Sequence, residues 1–352
     1  MCRNTGTTYI GHQLSNISTA GGKFHFPLPR NHAHHYFADY IRLKQGSLYK
    51  KGSAVEKDIL RAGDELVKHL TGSAIGKSDS VILSSAAFSV LSVKDLEYFK
   101  SLLPNYRYRV VLFYRDLCSW APLMYEQTLQ TSFLPFSFAA FLMQHKQDGL
   151  VQTGAYLDIY RRYVDTFTPQ HVRIVDYNGA QGSNIDLVSA LFVAADLTSP
   201  VSNGGGKPVS VEIGTRLEPM ERLMRQLWRL FDYYTLSKHG CTTLDSKKKA
   251  QFKTMSFQST RLGVYVDDIP RVEIDTSLLQ VAATRADRDM RAAFGDLMIF
   301  ANSASTEKAI TLCPHHVDIL VEEVLLNSEW MARFEEQYQL LSESKLSCTK
   351  KR

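Results

Sequence analysis

The sequence predicts an α/β fold built on a parallel sheet covered by helices on both faces, in three layers. Three observations predict it. Short apolar runs at Ser80–Ser85, Arg109–Tyr114 and Val172–Tyr177 read as buried strands. Each is followed by a helical stretch, at Asp95–Leu103, Ser119–Gln130 and Ile185–Leu197, and strands that alternate with helices along a chain assemble into a parallel sheet. The composition, 44% hydrophobic and 22% charged over 352 residues, supports a sizeable core and excludes disordered and collagen-like chains. One domain over residues 1–340 is expected. Its core lies in 1–197, a less regular helical or inserted region spans 198–340, and a disordered polar tail fills 341–352.

Taken in order, Arg3–Leu14 (R-N-T-G-T-T-Y-I-G-H-Q-L) is a small-residue loop running into a helix, and the Gly- and Pro-containing stretch Gly21–Arg30 reads as a connector. Asn31–Leu43 carries apolar residues at helical intervals. Ala54–Leu70 is amphipathic, with Val55, Ile59, Leu66, Val67 and Leu70 apolar and charges between them. Arg109–Tyr114 (R-V-V-L-F-Y) is the clearest strand, rich in β-branched and aromatic residues and closed by Arg115-Asp116. Ser183-Asn184 supplies capping residues before the helix at Ile185–Leu197. The apolar stretch Phe133–Met143 is shorter than the roughly 18–20 residues a membrane span needs and contains Pro135, so it reads as a buried helix. Ser199–Pro208 is an exposed loop, Glu218–Tyr234 a helix, and His316–Leu341 one long helix.

Several partner classes find little support. The net charge of +5 is mild, and the Lys247-Lys248-Lys249 run has no aromatic platform or wider basic stripe beside it, so nucleic acid is not expected. Five cysteines, far apart and without a C-x-x-C pair, read as structural thiols rather than as zinc ligands or a disulfide framework, and no metal is expected. Met1–Thr8 is polar and does not read as a signal peptide.

The chemistry-bearing segment is Arg3–Thr8. Gly6 lets backbone approach an anion closely, Thr5, Thr7 and Thr8 offer hydroxyl donors, and the helix that follows presents its positive end. The G-x-x-x-x-G-K-[ST] spacing of a phosphoryl-transfer loop is absent, which disfavours an ATP- or GTP-hydrolysing enzyme. Instead the Thr5-Gly6-Thr7-Thr8 string resembles the 5′-phosphosulfate loop of sulfotransferases that use 3′-phosphoadenosine 5′-phosphosulfate (PAPS), in which a lysine stands where this chain has Asn4. In the same order as that family's divergent microbial branch come Gly22-Lys23-Phe24-His25-Phe26-Pro27 and Ala33-His34-His35. Ser84-Ser85-Ala86-Ala87-Phe88 follows, with Ala86 in place of an acid. Then comes Tyr114-Arg115 with Trp120-Ala121-Pro122-Leu123-Met124-Tyr125-Glu126-Gln127, where Leu123 replaces a serine and Ser119 is the nearest substitute. The similarity extends through Asp176-Tyr177 and Asp186-Leu187-Val188, and more weakly through Asn327–Ala332. A match at Arg261-Leu262-Gly263 is short.

The resemblance implies a P-loop NTPase-like sulfotransferase fold whose first strand lies upstream of Met1. It implies PAPS as the sulfonyl donor, a hydroxylated small-molecule or glycan acceptor, and no membrane segment in this chain. Location stays open between the Golgi lumen, behind an anchor upstream, and the cytoplasm. Asn4, Thr5, Gly6, Thr7, Thr8, Arg115 and Ser119 would hold the donor, Arg3 would partly replace the missing lysine charge, and His34 or His35 would take the acceptor proton. Neighbouring residues on a helix point in different directions, so at most one of the two histidines faces the site. Trp120 and Tyr125 read as helix-packing residues. Asn4, Ala86 and Leu123 together also suggest a relative that binds nucleotide or a partner without turnover.

Overall fold

The computed structural model describes residues 10, 13–14, 24–27, 34–46, 53–72, 75, 79–131, 137–147, 153–197, 219–238, 241–244, 270–274, 276–300, 316–319, 321–342 and 348–350. Arg3, Asn4, Thr5, Gly6, Thr7 and Thr8, together with Ser199–Pro208, Lys247–Lys249 and Arg261–Gly263, lie outside the described residues. The described chain is mixed α/β, mostly helical, with small sheets. In chain order it forms β1 (Phe24–His25), α1 (His35–Lys44), α2 (Ala54–Thr71), β2 (Ser80–Val81), α3 (Val93–Leu102), β3 (Val110–Tyr114), α4 (Leu117–Thr131), α5 (Phe138–Gln147), α6 (Thr153–Phe167), β4 (Val172–Asp176), α7 (Tyr177–Gly182) and α8 (Leu187–Ala194). Then follow α9 (Pro219–Lys238), β5 (Cys241–Leu244), β6 (Arg271–Ile274), α10 (Ser277–Phe294), β7 (Met298–Ile299), β8 (His316–Ile319), α11 (Val321–Leu326), α12 (Ser328–Ser342) and β9 (Cys348–Lys350).

Two compact units are built from these elements. The first takes residues 1–120, 149–214 and 281–311. Its sheet has the order β3-β4-β7 with all strands parallel. The register pairs Val110 with Val172 and Tyr114 with Asp176, so β3 and β4 end side by side. A separate parallel pair joins β1 to β2, Phe24 opposite Ser80. The parallel strands expected at Arg109–Tyr114 and Val172–Tyr177 are therefore present. Ser80–Ser85 pairs instead with Phe24–His25, inside the stretch read as a connector, and β7 carries no periodicity from which two residues could be read as a strand.

The helices start where side chains satisfy their first amides. Ser53 accepts from Glu56 N at 3.1 Å before α2, Ser92 and Asp95 form a reciprocal capping box at α3, and Asp186 accepts from Val188 N and Ser189 N before α8. Ile59, Gly63, Leu66 and Leu70 line the buried face of α2, at the spacing the sequence shows. Phe99 stands edge-on to Phe37, Tyr108 and Phe167 with ring centroids 6.0, 5.7 and 6.4 Å away. Phe37 and Phe167 are buried in this cluster, and each contributes on the order of 1.5–3 kcal/mol of apolar transfer. A second cluster gathers Ile10, Leu14, Phe24, Phe26, Phe113, Val175, Tyr177 and Phe192. Ile10 and Leu14, four residues apart in the helix that follows the Thr-rich string, are both fully buried in it.

The second unit takes residues 121–148, 215–280 and 312–352. Its core holds Tyr125 against Phe138 and Phe141, with centroids 5.3 and 5.6 Å apart, as expected for a buried helix near Phe133–Met143. α5 begins at Phe138 because the Ser137 hydroxyl caps Ala140 N at 3.0 Å. A buried ion pair, Arg222 to Glu126 at 3.0 Å, ties α9 to this segment. β5 pairs antiparallel with β9, and β6 with β8. The long helix expected over His316–Leu341 is corrected here. His316–Ile319 is a strand, opposite Arg271–Ile274, and Asn327 interrupts the rest, its side chain accepting from Glu329 N at 2.9 Å and Trp330 N at 3.2 Å to start α12. The stretch read as a disordered tail contains β9.

Cys118 is also corrected. It is fully buried and disulfide-bonded, so it is not the reduced thiol the spacing suggested. Among the described residues no helix is long and apolar enough to cross a membrane.

Candidate functional site

Ligands of open parallel sheets bind beyond the carboxyl ends of the strands, where backbone leaves the ladder and polar side chains converge. Here β3 and β4 end in register at Tyr114 and Asp176. The next two residues from each strand, Arg115-Asp116 and Tyr177-Asn178, face one another. The Arg115 guanidinium lies over the Tyr177 ring, 4.4 Å from its centre, a cation–π contact that favours this placement. Burial pushes the Tyr177 phenol above its ordinary value, and the Arg115 charge opposes part of that rise.

Ser119, one helical turn into α4, ties the corner together. Its hydroxyl donates to Asp116 Oδ2 at 2.6 Å and accepts from Arg115 Nε at 3.4 Å and Asn178 Nδ2 at 3.2 Å. One proton and two lone pairs are thereby committed. Asp116 Oδ1 caps Ser119 N at 3.0 Å, and Asp116 Oδ2 also accepts from Asn178 Nδ2. Ser119 thus contacts Arg115, Asp116 and Asn178 at once.

A second polar group flanks this corner. Asp176 caps α7 through Gly179 N at 3.0 Å and accepts from Arg291 Nη2 at 3.2 Å. Arg291 Nε also donates to Asp287 Oδ2 at 2.7 Å, and the Tyr114 hydroxyl donates to Asp287 Oδ1 at 3.3 Å. Burial raises the Asp176 carboxyl above its usual range, while the Gly179 amide and Arg291 pull it back. Arg291 is itself raised, chiefly by its hydrogen bond to Asp287. Gly179 is required here: a Cβ on it would stand 1.9 Å from the carbonyl oxygen of Phe300.

The two histidines separate. His34 is fully buried. Its Nε2 lies 2.6 Å from Pro27 O, which only accepts, so Nε2 carries the proton and Nδ1 accepts from Ser84 N at 3.1 Å. The ring stands edge-on to Phe26, 4.8 Å between centroids, and burial holds its pKa below 6.5 despite those backbone contacts. Both nitrogens brace the segments that follow β1 and β2, and neither is left to take a proton from an acceptor. His35, the first residue of α1, is partly exposed and packs on Tyr36 at 4.4 Å. Ser85 caps the short turn Ala86–Val90 by accepting from Ala87 N at 3.0 Å, and Trp120 is buried. Tyr125 is buried in the second unit, where its hydroxyl accepts from the Gln226 side chain.

Among the predicted site residues, then, the structure brings Arg115 and Ser119 together, places His34 and His35 in a different part of the same unit, and leaves Arg3 and Asn4–Thr8 outside the described residues. Sequence reasoning did not single out Asp116, Asn178 or Arg291. Asn178 could have been found, because it is polar and stands two residues past a parallel strand. Arg291 sits 115 positions from Asp176 on a helix with many charges, and no sequence signal marks it. Among the described residues no three His, Cys, Asp or Glu side chains gather as a metal site. Comparison with protein-family models, curated proteins and solved structures gave no match.

Proposed function

We propose that the chain is a divergent PAPS-dependent sulfotransferase whose Arg115 receives the 3′-phosphate of the donor. The observation that carries this reading is a guanidinium fixed at the carboxyl ends of two parallel strands, stacked on Tyr177 and held by Ser119. A planar, permanently charged fork at that place fits a phosphate dianion, so the donor set suits one end of PAPS. The other end falls to the Thr5-Gly6-Thr7-Thr8 string, and supporting that assignment, Ile10 and Leu14 just after it share a core with Tyr177.

In the reaction an acceptor oxygen attacks the sulfur, the bond from sulfur to the bridging phosphate oxygen breaks, 3′-phosphoadenosine 5′-phosphate leaves, and the acceptor proton passes to a base. His35 is the base in this reading, since His34 is committed to Pro27 and Ser84. With Asn4 where the family has lysine, the leaving oxygen has a hydrogen-bond donor but no cation beside it, and loss of one such contact costs about 10²–10³ in rate. That deficit, with Ala86, favours a second reading in which the chain binds the nucleotide with little or no turnover.

The test is a thermal-shift titration with 3′-phosphoadenosine 5′-phosphate, beside transfer of labelled sulfonate to hydroxylated acceptors. A ligand at a hundred times its Kd stabilises the folded state by about 2.7 kcal/mol. Arg115→Ala should remove the shift and Asn4→Lys should enlarge it. No shift at millimolar nucleotide overturns the proposal; a shift without transfer selects the second reading.

A further inference from the structure

The geometry points to Asn178 as the positioning residue of the anion subsite at Arg115, cross-linking the two strand-end loops so that the guanidinium is aimed before a ligand arrives. This inference rests on the proposed role of Arg115, and it concerns a residue that touches neither donor nor acceptor.

Because β3 and β4 end opposite each other, the loops that follow start at one level and each contributes two consecutive residues to the corner. Arg115 lies on Tyr177, and Asn178 bonds to Asp116. The amide orientation of Asn178 is dictated by chemistry: a carboxylate only accepts, so the NH2 group must face Asp116 Oδ2. The same nitrogen reaches Ser119 Oγ at 3.2 Å, and that hydroxyl accepts from Arg115 Nε at 3.4 Å. Asn178 therefore acts on Arg115 through one intermediate atom.

It also answers an electrostatic difficulty. Asp116 is adjacent in sequence to the arginine that would meet an anion, and a bare carboxylate there would repel it. The donors on this carboxylate are Ser119 N at 3.0 Å, the Ser119 hydroxyl at 2.6 Å and Asn178 Nδ2. Two of the three belong to Arg115's own loop and helix; Asn178 alone comes from the neighbouring strand. Removing its amide leaves the Ser119 hydroxyl as the donor to Asp116 Oδ2 and leaves Ser119 with one donor fewer, and the natural relaxation is for Arg115 to turn onto Asp116. The guanidinium would then point away from the position it holds over Tyr177.

The experiment compares the full-length chain with Asn178→Asp, which keeps the side-chain shape but sets two carboxylates against each other, and with the swapped pair Asp116→Asn/Asn178→Asp, which restores one donor facing one carboxylate. Affinity is read by calorimetry for 3′-phosphoadenosine 5′-phosphate, for adenosine 5′-phosphate and for inorganic pyrophosphate. Asn178→Asp should lose about tenfold in affinity for the 3′-phosphorylated nucleotide, the size expected for one hydrogen bond to a charged group, with the unphosphorylated nucleotide unaffected. The swapped pair should recover the preference. An equal loss for both nucleotides, or no loss, overturns the inference. If wild type binds pyrophosphate in an Arg115-dependent way but not the nucleotide, the proposed function fails while Asn178 is judged on pyrophosphate by the same comparison. If wild type binds none of them, both fall. Should Asn178→Asp not fold, the swapped pair decides, since it must keep the nucleotide preference.

Discussion

His34 allows a sharp test, because its sequence position suggests a catalytic base and its surroundings make it a brace. Replacing it by Ala removes the partner of two buried backbone groups, the Pro27 carbonyl at 2.6 Å and the Ser84 amide at 3.1 Å. An orphaned buried donor or acceptor costs about 1–3 kcal/mol, so the pair amounts to roughly 2–6 kcal/mol before the lost packing on Phe26 is counted. At about 2–4 °C per kcal/mol for a unit of this size, the melting temperature should fall by roughly 5–20 °C. Gln at this position has a donor and an acceptor of similar reach and should recover most of the loss.

The two variants also separate in pH. The folded-state pKa of His34 is lowered from 6.5, chiefly by burial, so the unfolded chain takes up a proton that the folded chain refuses. The stability tied to neutral His34 is complete above about pH 6.5 and is lost as the pH falls below it toward the lower folded-state value. Calorimetry between about pH 8 and pH 5 should therefore show a stability decline in wild type that is shallower in His34→Gln. A melting temperature for His34→Ala within about 1 °C of wild type, or an identical pH decline in His34→Gln, would refute the bracing role and return His34 to the candidates for general base.

Three further outcomes are expected. Gly179→Ala places a Cβ 1.9 Å from Phe300 O; relieving it needs a backbone shift of more than an ångström at the β4 corner, so a loss of about 3 kcal/mol by urea unfolding is expected, against less than about 0.5 kcal/mol for Gly295→Ala, where the space is open. Glu126→Ala removes the carboxylate paired with the buried Arg222 and should cost about 3–5 kcal/mol, whereas Glu126→Leu combined with Arg222→Leu should recover most of it; equal losses in the single and double variants would show that the pair does not act as a unit. Non-reducing peptide mapping should find Cys118 cross-linked to another cysteine of the chain, and Cys118→Ser should lower stability by about 2–4 kcal/mol; a free, alkylatable Cys118 in the folded protein contradicts this.

The legible parts of the fold were those in which one local pattern suffices. β3 and β4 are runs rich in β-branched and aromatic residues, buried over their last three positions, and α2 repeats its apolar residues along one face, so sequence alone places them within a residue or two. What escaped depends on partners far along the chain. Phe24–His25 becomes a strand through Ser80–Val81, and His316–Ile319 through Arg271–Ile274, although His316–Leu341 by itself reads as helix. The same divide runs through the site. Arg115 is visible because it ends the strongest strand. The ring beneath it and the amide that holds the neighbouring Asp116 carboxylate come from the end of a strand about sixty residues away.

That divide changes the weight of the individual substitutions. Under the proposed function, Leu123 stands where sulfotransferases that use PAPS carry a serine, and Ser119 does not take over a phosphate contact, because its proton goes to Asp116. A phosphate at this corner would therefore rely on the guanidinium more heavily than in a site with two donors. A side chain asked to supply most of the recognition must be held in one orientation, since each rotamer frozen on binding would subtract from affinity. Stacking on Tyr177 and the hydrogen bond to Ser119 restrict Arg115 before binding, and Asn178 anchors both Ser119 and Asp116 from the neighbouring strand. If Arg115 receives the phosphate as proposed, the prearranged contact offsets the missing direct one, and the nucleotide preference of the Asp116 and Asn178 variants measures how far it does so.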